Sequence, residues 1–405
     1  MQIYNFINKL KFFFFNIYYY AININIINRI NLILSSSKKN NKKNILIQID
    51  HKGQYQHVEG IINLILTNKN YGNILLSSNS DIFFLEKKIH KRVILVKGNV
   101  GKFLKGISIC LKCNFEDKSP KGSISIFLGH GFLVKRESIP KIYLSNIDHV
   151  FLYGPSSRKA FNSYLKKSGI NKKNIKFWNT GYPNYDDLIN SNYQISKIKK
   201  KLSLRKNNNI LFSPAWECHH ELYKNLNKLC LIFSKIKKYN FIIKIHPNWL
   251  IDKNSSNFYF YSGGYNWKKK LKNISKKFDN IYFYQGLKIH PLFDICKLMI
   301  TDFSGVSLGF ALKKKPVIFL NINDKHKTNL TEFGYEIQKN NLLFKKEKWG
   351  ININNYSQIE NSIKKIFLNY KFYQKKLNNF QKNHLYNAGK STNIVYKCIN
   401  KIANI

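Results

Sequence analysis

Acidic residues are scarce in this 405-residue chain. Only 21 Asp and Glu stand against 68 Lys and Arg, a formal net charge of +47. That imbalance points to anionic partners: nucleic acid, an anionic membrane or a phosphorylated substrate. The signatures that would select nucleic acid are missing, since no RNP-type run, helix-turn-helix or zinc finger accompanies the charge. The lysines are spread along the whole chain among Asn, Ile and Tyr and form no single stripe. Anionic substrates and an anionic lipid surface therefore fit better. Cysteine is sparse as well. Six in a chain of this length exclude a disulfide framework. Cys110 and Cys113 form one CxxC with no second pair at zinc-ribbon spacing, and Cys218-His219-His220 is the only other soft-ligand cluster. The expectation is reduced thiols, no metal and a cytoplasmic chain. A long apolar run is also absent: none approaches the ~20 residues of a membrane-spanning helix. Residues 1–34 are rich in Phe, Ile and Tyr but are interrupted by Asn16, Asn23, Asn25 and Asn28, with no small-residue cleavage site. Ile3, Ile7, Leu10, Phe14, Ile17, Ala21 and Ile24 recur at helical spacing. Two arrangements satisfy that pattern. One is an amphipathic helix in the membrane interface, helped by Lys38, Lys39, Lys42 and Lys43. The other is a helix packed on the protein's own core.

What the chain does have is core-forming material for about two domains, with 44% hydrophobic and 15% aromatic residues. After a polar, lysine-rich linker, Ser35 to Asn44, apolar runs read as strands at 44–49, 73–76, 92–96, 123–128 and 149–153. A polar stretch, Asn190 to Asn209, reads as a linker helix, and the pattern then restarts at 209–213, 240–245, 280–284 and 298–300. Strands alternating with helices predict parallel sheets. Two successive Rossmann-like units predict an α/β, GT-B-like architecture: two domains facing a central cleft, with an N-terminal helical extension. The expected divisions are 1–43 for the extension and linker, 44–190 for an acceptor-side domain, 191–385 for a nucleotide-donor domain and 386–405 for a closing helix.

The stretch from Leu298 to Leu320 is the most informative. A strand ends at Thr301-Asp302, the small-residue turn Ser304-Gly305 follows, then a short helix, three lysines and a second strand after Pro316. Such a loop offers N–H groups and hydroxyls to an anion at a helix N-terminus. It also reads equally as a helix capped by Ser304 and Ser307.

Five short motifs lie in order, mostly at expected strand ends where ligands bind in open α/β sheets. They are Gly129-His130-Gly131, Thr180-Gly181-Tyr182-Pro183-Asn184-Tyr185-Asp186, Ser213-Pro214-Ala215-Trp216, Lys244-Ile245-His246-Pro247 and Thr301-Asp302-Phe303-Ser304-Gly305. The ordered set resembles the CDP-glycerol glycerophosphotransferase family, which builds teichoic-acid-type polymers. The tail Tyr386-Asn-Ala-Gly389-Lys-Ser391-Thr is similar to that family's closing segment.

The resemblance implies transfer of glycerol phosphate, or a related polyol phosphate, from a CDP-activated donor to a hydroxyl of a lipid-linked or polymer acceptor. CMP would be released. It implies His130 as base and His246 as donor-phosphate or leaving-group contact, the two catalytic candidates. Lys244, Asp302, Ser304, Gly305, Ser307, Pro214 and Trp216 become candidates for the donor diphosphate. Gly129, Gly131, Gly181, Pro183, Asp186, Gly389 and Ser391 support them, with Asp186 reading as a cap or turn residue. Apart from the donor substrate, no cofactor is implied. His219, His220 and His290 have no motif support and read as surface or packing residues. The chain departs from the pattern at Gly305, where a second serine is usual, and at Gly309, where an acid is usual. These departures bear on donor identity. A nucleotide-sugar glycosyltransferase or an enzyme like the UDP-N-acetylglucosamine 2-epimerases would keep the fold and change the donor. A non-catalytic basic protein binding anionic lipid or nucleic acid is the reading of another class. The expected location is the inner face of the cell membrane, held peripherally.

Overall fold

The structure, a computed structural model, describes residues 24–37, 40–49, 52–78, 90–97, 101–129, 139–190, 195–215, 219–250, 253, 258–286, 288–302, 304–320 and 350–404. Seven strands make the first sheet: β1 (Lys43–Ile49), β2 (Tyr71–Ser78), β3 (Val93–Lys97), β4 (Ile109–Lys112), β5 (Ile124–Phe127), β6 (His149–Leu152) and β7 (Lys176–Asn179). Six make the second: β8 (Asn208–Phe212), β9 (Tyr239–Ile243), β10 (Ile281–Phe283), β11 (Cys296–Thr301), β12 (Val317–Leu320) and β13 (Gly350–Ile353). The orders are β3-β2-β1-β4-β5-β6-β7 and β10-β9-β8-β11-β12-β13, and every pairing is parallel. Each order reverses once, between β1 and β4 and between β8 and β11. These are the switch points of two doubly wound units.

The strands are nearly continuous apolar runs because both faces of each sheet are covered. In β1, Ile45 and Ile47 share a core with the helices Glu59–Thr67 and Ser391–Ala403, while Leu46 joins the core on the opposite face. That second face is covered by a helix over residues 24–37, through Ile27, Ile30 and Leu34. This part of the N-terminal extension is therefore packed on the core, yet its other side leaves Ile24, Ile26, Leu32 and Ile33 exposed. The apolar positions from Ile3 to Ala21 lie outside the described residues. No described helix is long and apolar enough to cross a membrane.

The CxxC falls at β4. Cys110 and Cys113 are buried free thiols, and the Cys110 Sγ–H donates to Gln48 Oε1 at 3.0 Å. Burial pushes the Cys110 thiol up to about 12. Among the described residues no group of three His, Cys, Asp or Glu could hold a metal ion. Cys218 and the side chains of His219 and His220 lie outside the description.

The two domains are tied by the end of the chain. After three helices over Ile359–Leu368, Tyr370–Leu377 and Phe380–His384, the backbone crosses to the first domain. There Ser391–Ala403 inserts Val395, Ile399 and Ile402 into the core of the first sheet. Asp186 caps that helix: its two carboxylate oxygens accept from Ser391 N at 2.9 Å and Thr392 N at 2.6 Å. Gly181, at φ +83°, lies too close to Tyr386 O and Ser391 Oγ for any Cβ. The Thr180–Asp186 motif and the closing segment are thus two sides of one contact.

Candidate functional site at the switch point of the second sheet

Three motif segments leave the C-terminal ends of adjacent strands. β9, β8 and β11 pair in register, with Ile243 opposite Phe212 and Phe212 opposite Ile300. Lys244-His246 therefore stands next to Ser213-Ala215, which stands next to Thr301-Ser304. Two side chains extend the pairing of β8 and β11 past the strand ends. Thr301 Oγ1 donates to Ser213 O at 2.5 Å, and Asp302 Oδ1 accepts from Ala215 N at 2.6 Å. Ser213, Pro214, Ala215 and Ser304 are buried.

Lys244 is the unusual charge here. Only 3% of the residue is exposed, and its Nζ donates to Ile245 O at 3.0 Å. No described carboxylate pairs with it, and burial alone pushes its amine down to about 8. An ammonium held this way retains unspent hydrogen-bond donors and favours an anionic neighbour. His246, two residues on, is half-buried, and its carbonyl accepts from Trp249 N at 3.0 Å, starting the turn Pro247–Leu250.

The helix after Gly305 runs only from Val306 to Leu312, so its dipole is short. Ser307 is fully buried and its hydroxyl donates to Ser304 O at 2.7 Å, which spends it on the helix's first turn. Gly305 lies in an ordinary helical conformation, and a Cβ there would meet nothing within 4 Å. Gly309 is the opposite case. A Cβ there would sit 3.1 Å from Phe293 and 3.5 Å from the Tyr185 hydroxyl. The three-lysine run serves the fold: Lys315 Nζ caps the helix His290–Ile295 by donating to Phe293, Asp294 and Cys296 carbonyls. Lys313 pairs with Asp294 at 2.7 Å and reaches Leu188 O across the domains at 3.0 Å.

The first domain meets this site through aromatic rings. His57 Nδ1 lies 2.6 Å from the Tyr182 hydroxyl, Tyr182 packs on Tyr153 and Tyr185, and Tyr185 packs on His290. His290 is buried against Phe293, and desolvation, aided by Lys288, lowers it to about 4, so it is a neutral packing group. Gly129 has φ +77° and lies so close to the Tyr153 hydroxyl that a Cβ cannot fit. A packing constraint therefore demands glycine at that turn. His130, Gly131 and Trp216 lie outside the described residues. Asn190 Nδ2 donates to Gly389 O at 3.0 Å, which places Gly389 beside the first domain's last helix. Pro183 is buried at the start of the turn before Asp186. His57 and Tyr153 lie outside the five motifs, and the bond of the Thr301 hydroxyl to Ser213 O follows from strand pairing that no local pattern reveals.

Two doubly wound sheets with polar motif loops gathered at a switch point and joined by a returning C-terminal helix define a GT-B-type protein. Within that class, the chain belongs to the CDP-Glycerol:Poly(glycerophosphate) glycerophosphotransferase family, whose sequence profile matches residues 141–401. It is 26% identical over 193 residues to the teichoic acid poly(glycerol phosphate) polymerase of Bacillus spizizenii, covering 45% of this chain and 44% of that protein. The match thus spans less than half of that relative's length. Its fold is similar to the solved wall teichoic acid polymerase TagF, with a TM-score of 0.63 at 18% identity over 96% of this chain and 98% of that one. The UDP-GlcNAc 2-epimerase from Neisseria meningitidis, solved bound to UDP-GlcNAc, gives a TM-score of 0.55 at 12% identity over 88% of this chain and 100% of that one. At these identities the two structures speak for the fold alone.

Proposed function

We propose that the protein transfers glycerol phosphate, or a related polyol phosphate, from a CDP-activated donor to a hydroxyl of a cell-surface polymer or lipid-linked acceptor. The observation that carries this reading is Lys244, a buried cation without a carboxylate partner among the described residues, beside the loops that bear the family's motifs. In the proposed step the acceptor oxygen attacks the donor's β-phosphorus. The new P–O bond forms as the bond to the bridging oxygen breaks, and CMP leaves. His130 takes the acceptor proton, because an imidazole titrates near working pH. His246 contacts the donor phosphate or protonates the leaving oxygen, and Lys244 and Ser304 bind the diphosphate. Phosphoryl transfer draws mainly on such positioning and charge.

The same reading places the protein peripherally on the inner face of the membrane. Its support is the exposed side of the helix over 24–37, with Ile24, Ile26, Leu32 and Ile33, on a strongly basic chain. Flotation with anionic vesicles should carry the full chain and leave a chain starting at Lys43 behind.

Purified protein given labelled CDP-glycerol and a lipid-linked acceptor should release CMP, and His130→Ala and His246→Ala should abolish the release. No CMP release, with neither variant affecting turnover of any donor tried, would overturn the proposal. Thermal-shift measurements with CDP, UDP and GDP derivatives separate the donors, since a bound nucleotide raises apparent stability. Salt-sensitive binding of anionic lipid or nucleic acid that survives loss of both histidines, without turnover, would mark a binding protein instead.

A further inference from the structure

Asp302 stands among the candidates for the donor diphosphate, yet a carboxylate facing a diphosphate repels it. One contact of Asp302 is to the backbone of the neighbouring loop. Asp302 is 4% exposed, and Oδ1 accepts the Ala215 N–H at 2.6 Å. Beside it, Thr301 Oγ1 donates to Ser213 O at 2.5 Å, and Ser213 N donates to Ile300 O at 3.1 Å. Three consecutive residues, Ile300 to Asp302, therefore hold Ser213 and Ala215, the residues on either side of Pro214. At a switch point the connections from neighbouring strands leave to opposite faces, and nothing in the backbone ladder keeps their loops together. Here two side chains do so, at the place where Pro214 turns the chain.

We infer that Asp302, with Thr301, is a positioning residue: it fixes the Ser213–Ala215 loop by hydrogen bonding to backbone and makes no contact with the donor. The inference rests on the donor-site reading for its effect on turnover, though not for the latch itself. What matters in Asp302 is then an acceptor atom in place, not a negative charge. Asparagine supplies that atom with the same shape, whereas alanine leaves the buried Ala215 N–H without its partner.

The test compares Asp302→Asn with Asp302→Ala in the full chain. Asp302→Asn should keep kcat/KM within about threefold of the parent, since the acceptor atom stays in place. Asp302→Ala should lower it on the order of a hundredfold, mainly in kcat, as a misplaced loop does. Hydrogen exchange at the Ala215 amide supplies a readout independent of turnover: it should quicken at least roughly tenfold in Asp302→Ala and stay unchanged in Asp302→Asn. Asparagine as damaging as alanine, or an Ala215 amide indifferent to Asp302→Ala, would overturn the inference. If the parent protein releases no CMP, the proposed function fails while the exchange measurement still decides the latch. If Asp302→Ala does not fold, Thr301→Val against Thr301→Ser makes the same comparison through the Ser213 carbonyl. Only Thr301→Ser should then preserve exchange and turnover.

Discussion

Replacing Lys244 by methionine should stabilise the protein while destroying the proposed donor site. Burial lowers the amine from 10.5 to about 8, and no described carboxylate offsets it. A pKa unit corresponds to about 1.4 kcal/mol, so holding the charge inside the fold costs about 3 kcal/mol at pH 7. Methionine has a similar length and no charge. It leaves Ile245 O without its side-chain partner, a loss of about 1 kcal/mol. The net gain at pH 7 is then about 2 kcal/mol. The sign with pH follows from linkage. Between about pH 8 and pH 10.5 the unfolded chain holds the lysine proton and the folded protein does not, so parent stability rises with pH in that window. At pH 9.5 roughly 2 kcal/mol of the penalty has gone, and the advantage of Lys244→Met should nearly vanish. Urea titrations at pH 7 and pH 9.5 read both values, and calorimetric titration with a CDP-activated donor reads the binding loss. A variant that is less stable than the parent at pH 7, or a difference that ignores pH, would refute the reasoning.

Asp186→Ala should free the N-terminus of the closing helix. Losing the two carboxylate acceptors of the Ser391 and Thr392 N–H groups costs about 2 kcal/mol and should speed proteolysis within Ser391–Ala403 ahead of the rest of the chain. Gly305→Ser should fold normally because its Cβ meets open space, and it should tighten donor binding a few-fold as read by titration. Gly309→Asp should lower the urea midpoint, because Phe293 and Tyr185 already occupy that volume. Acid should weaken the fold between about pH 6.5 and pH 4. His290 and His384 are both lowered to about 4, so the unfolded chain binds protons there that the folded protein excludes, and stability falls as pH drops. His290→Gln should flatten part of that slope in unfolding curves.

The parallel α/β architecture was legible because buried strands such as Ile45–Ile47 and Ile210–Phe212 are uninterrupted apolar runs. Three strands were not. β4 carries Lys112 in an otherwise apolar run, and only the structure shows the lysine buried and donating to Asp117 O and Asn146 O. β7, Lys-Phe-Trp-Asn, is a half-exposed edge with no apolar alternation to read. β13 is Gly-Ile-Asn-Ile, short and at the other sheet's edge. In the site, motif order located the loops, because strand ends are where these sheets present polar groups. It did not distinguish a hydroxyl offered to a ligand from one spent on the backbone, as with Ser307 and Thr301. That distinction depends on which carbonyl lies within reach, and strand pairing between distant residues sets it.

The returning helix also sets the order in which the protein can be made. Its residues Val395, Ile399 and Ile402 complete the core that contains Ile61, Ile62 and Ile65. While a ribosome is still synthesising the second domain, that apolar surface of the first sheet stays open to water, to chaperones and to other nascent chains. At about 5–20 residues per second, the interval between residues 190 and 403 lasts on the order of ten to forty seconds. The first domain is thus translated ahead of the second and finished only after it.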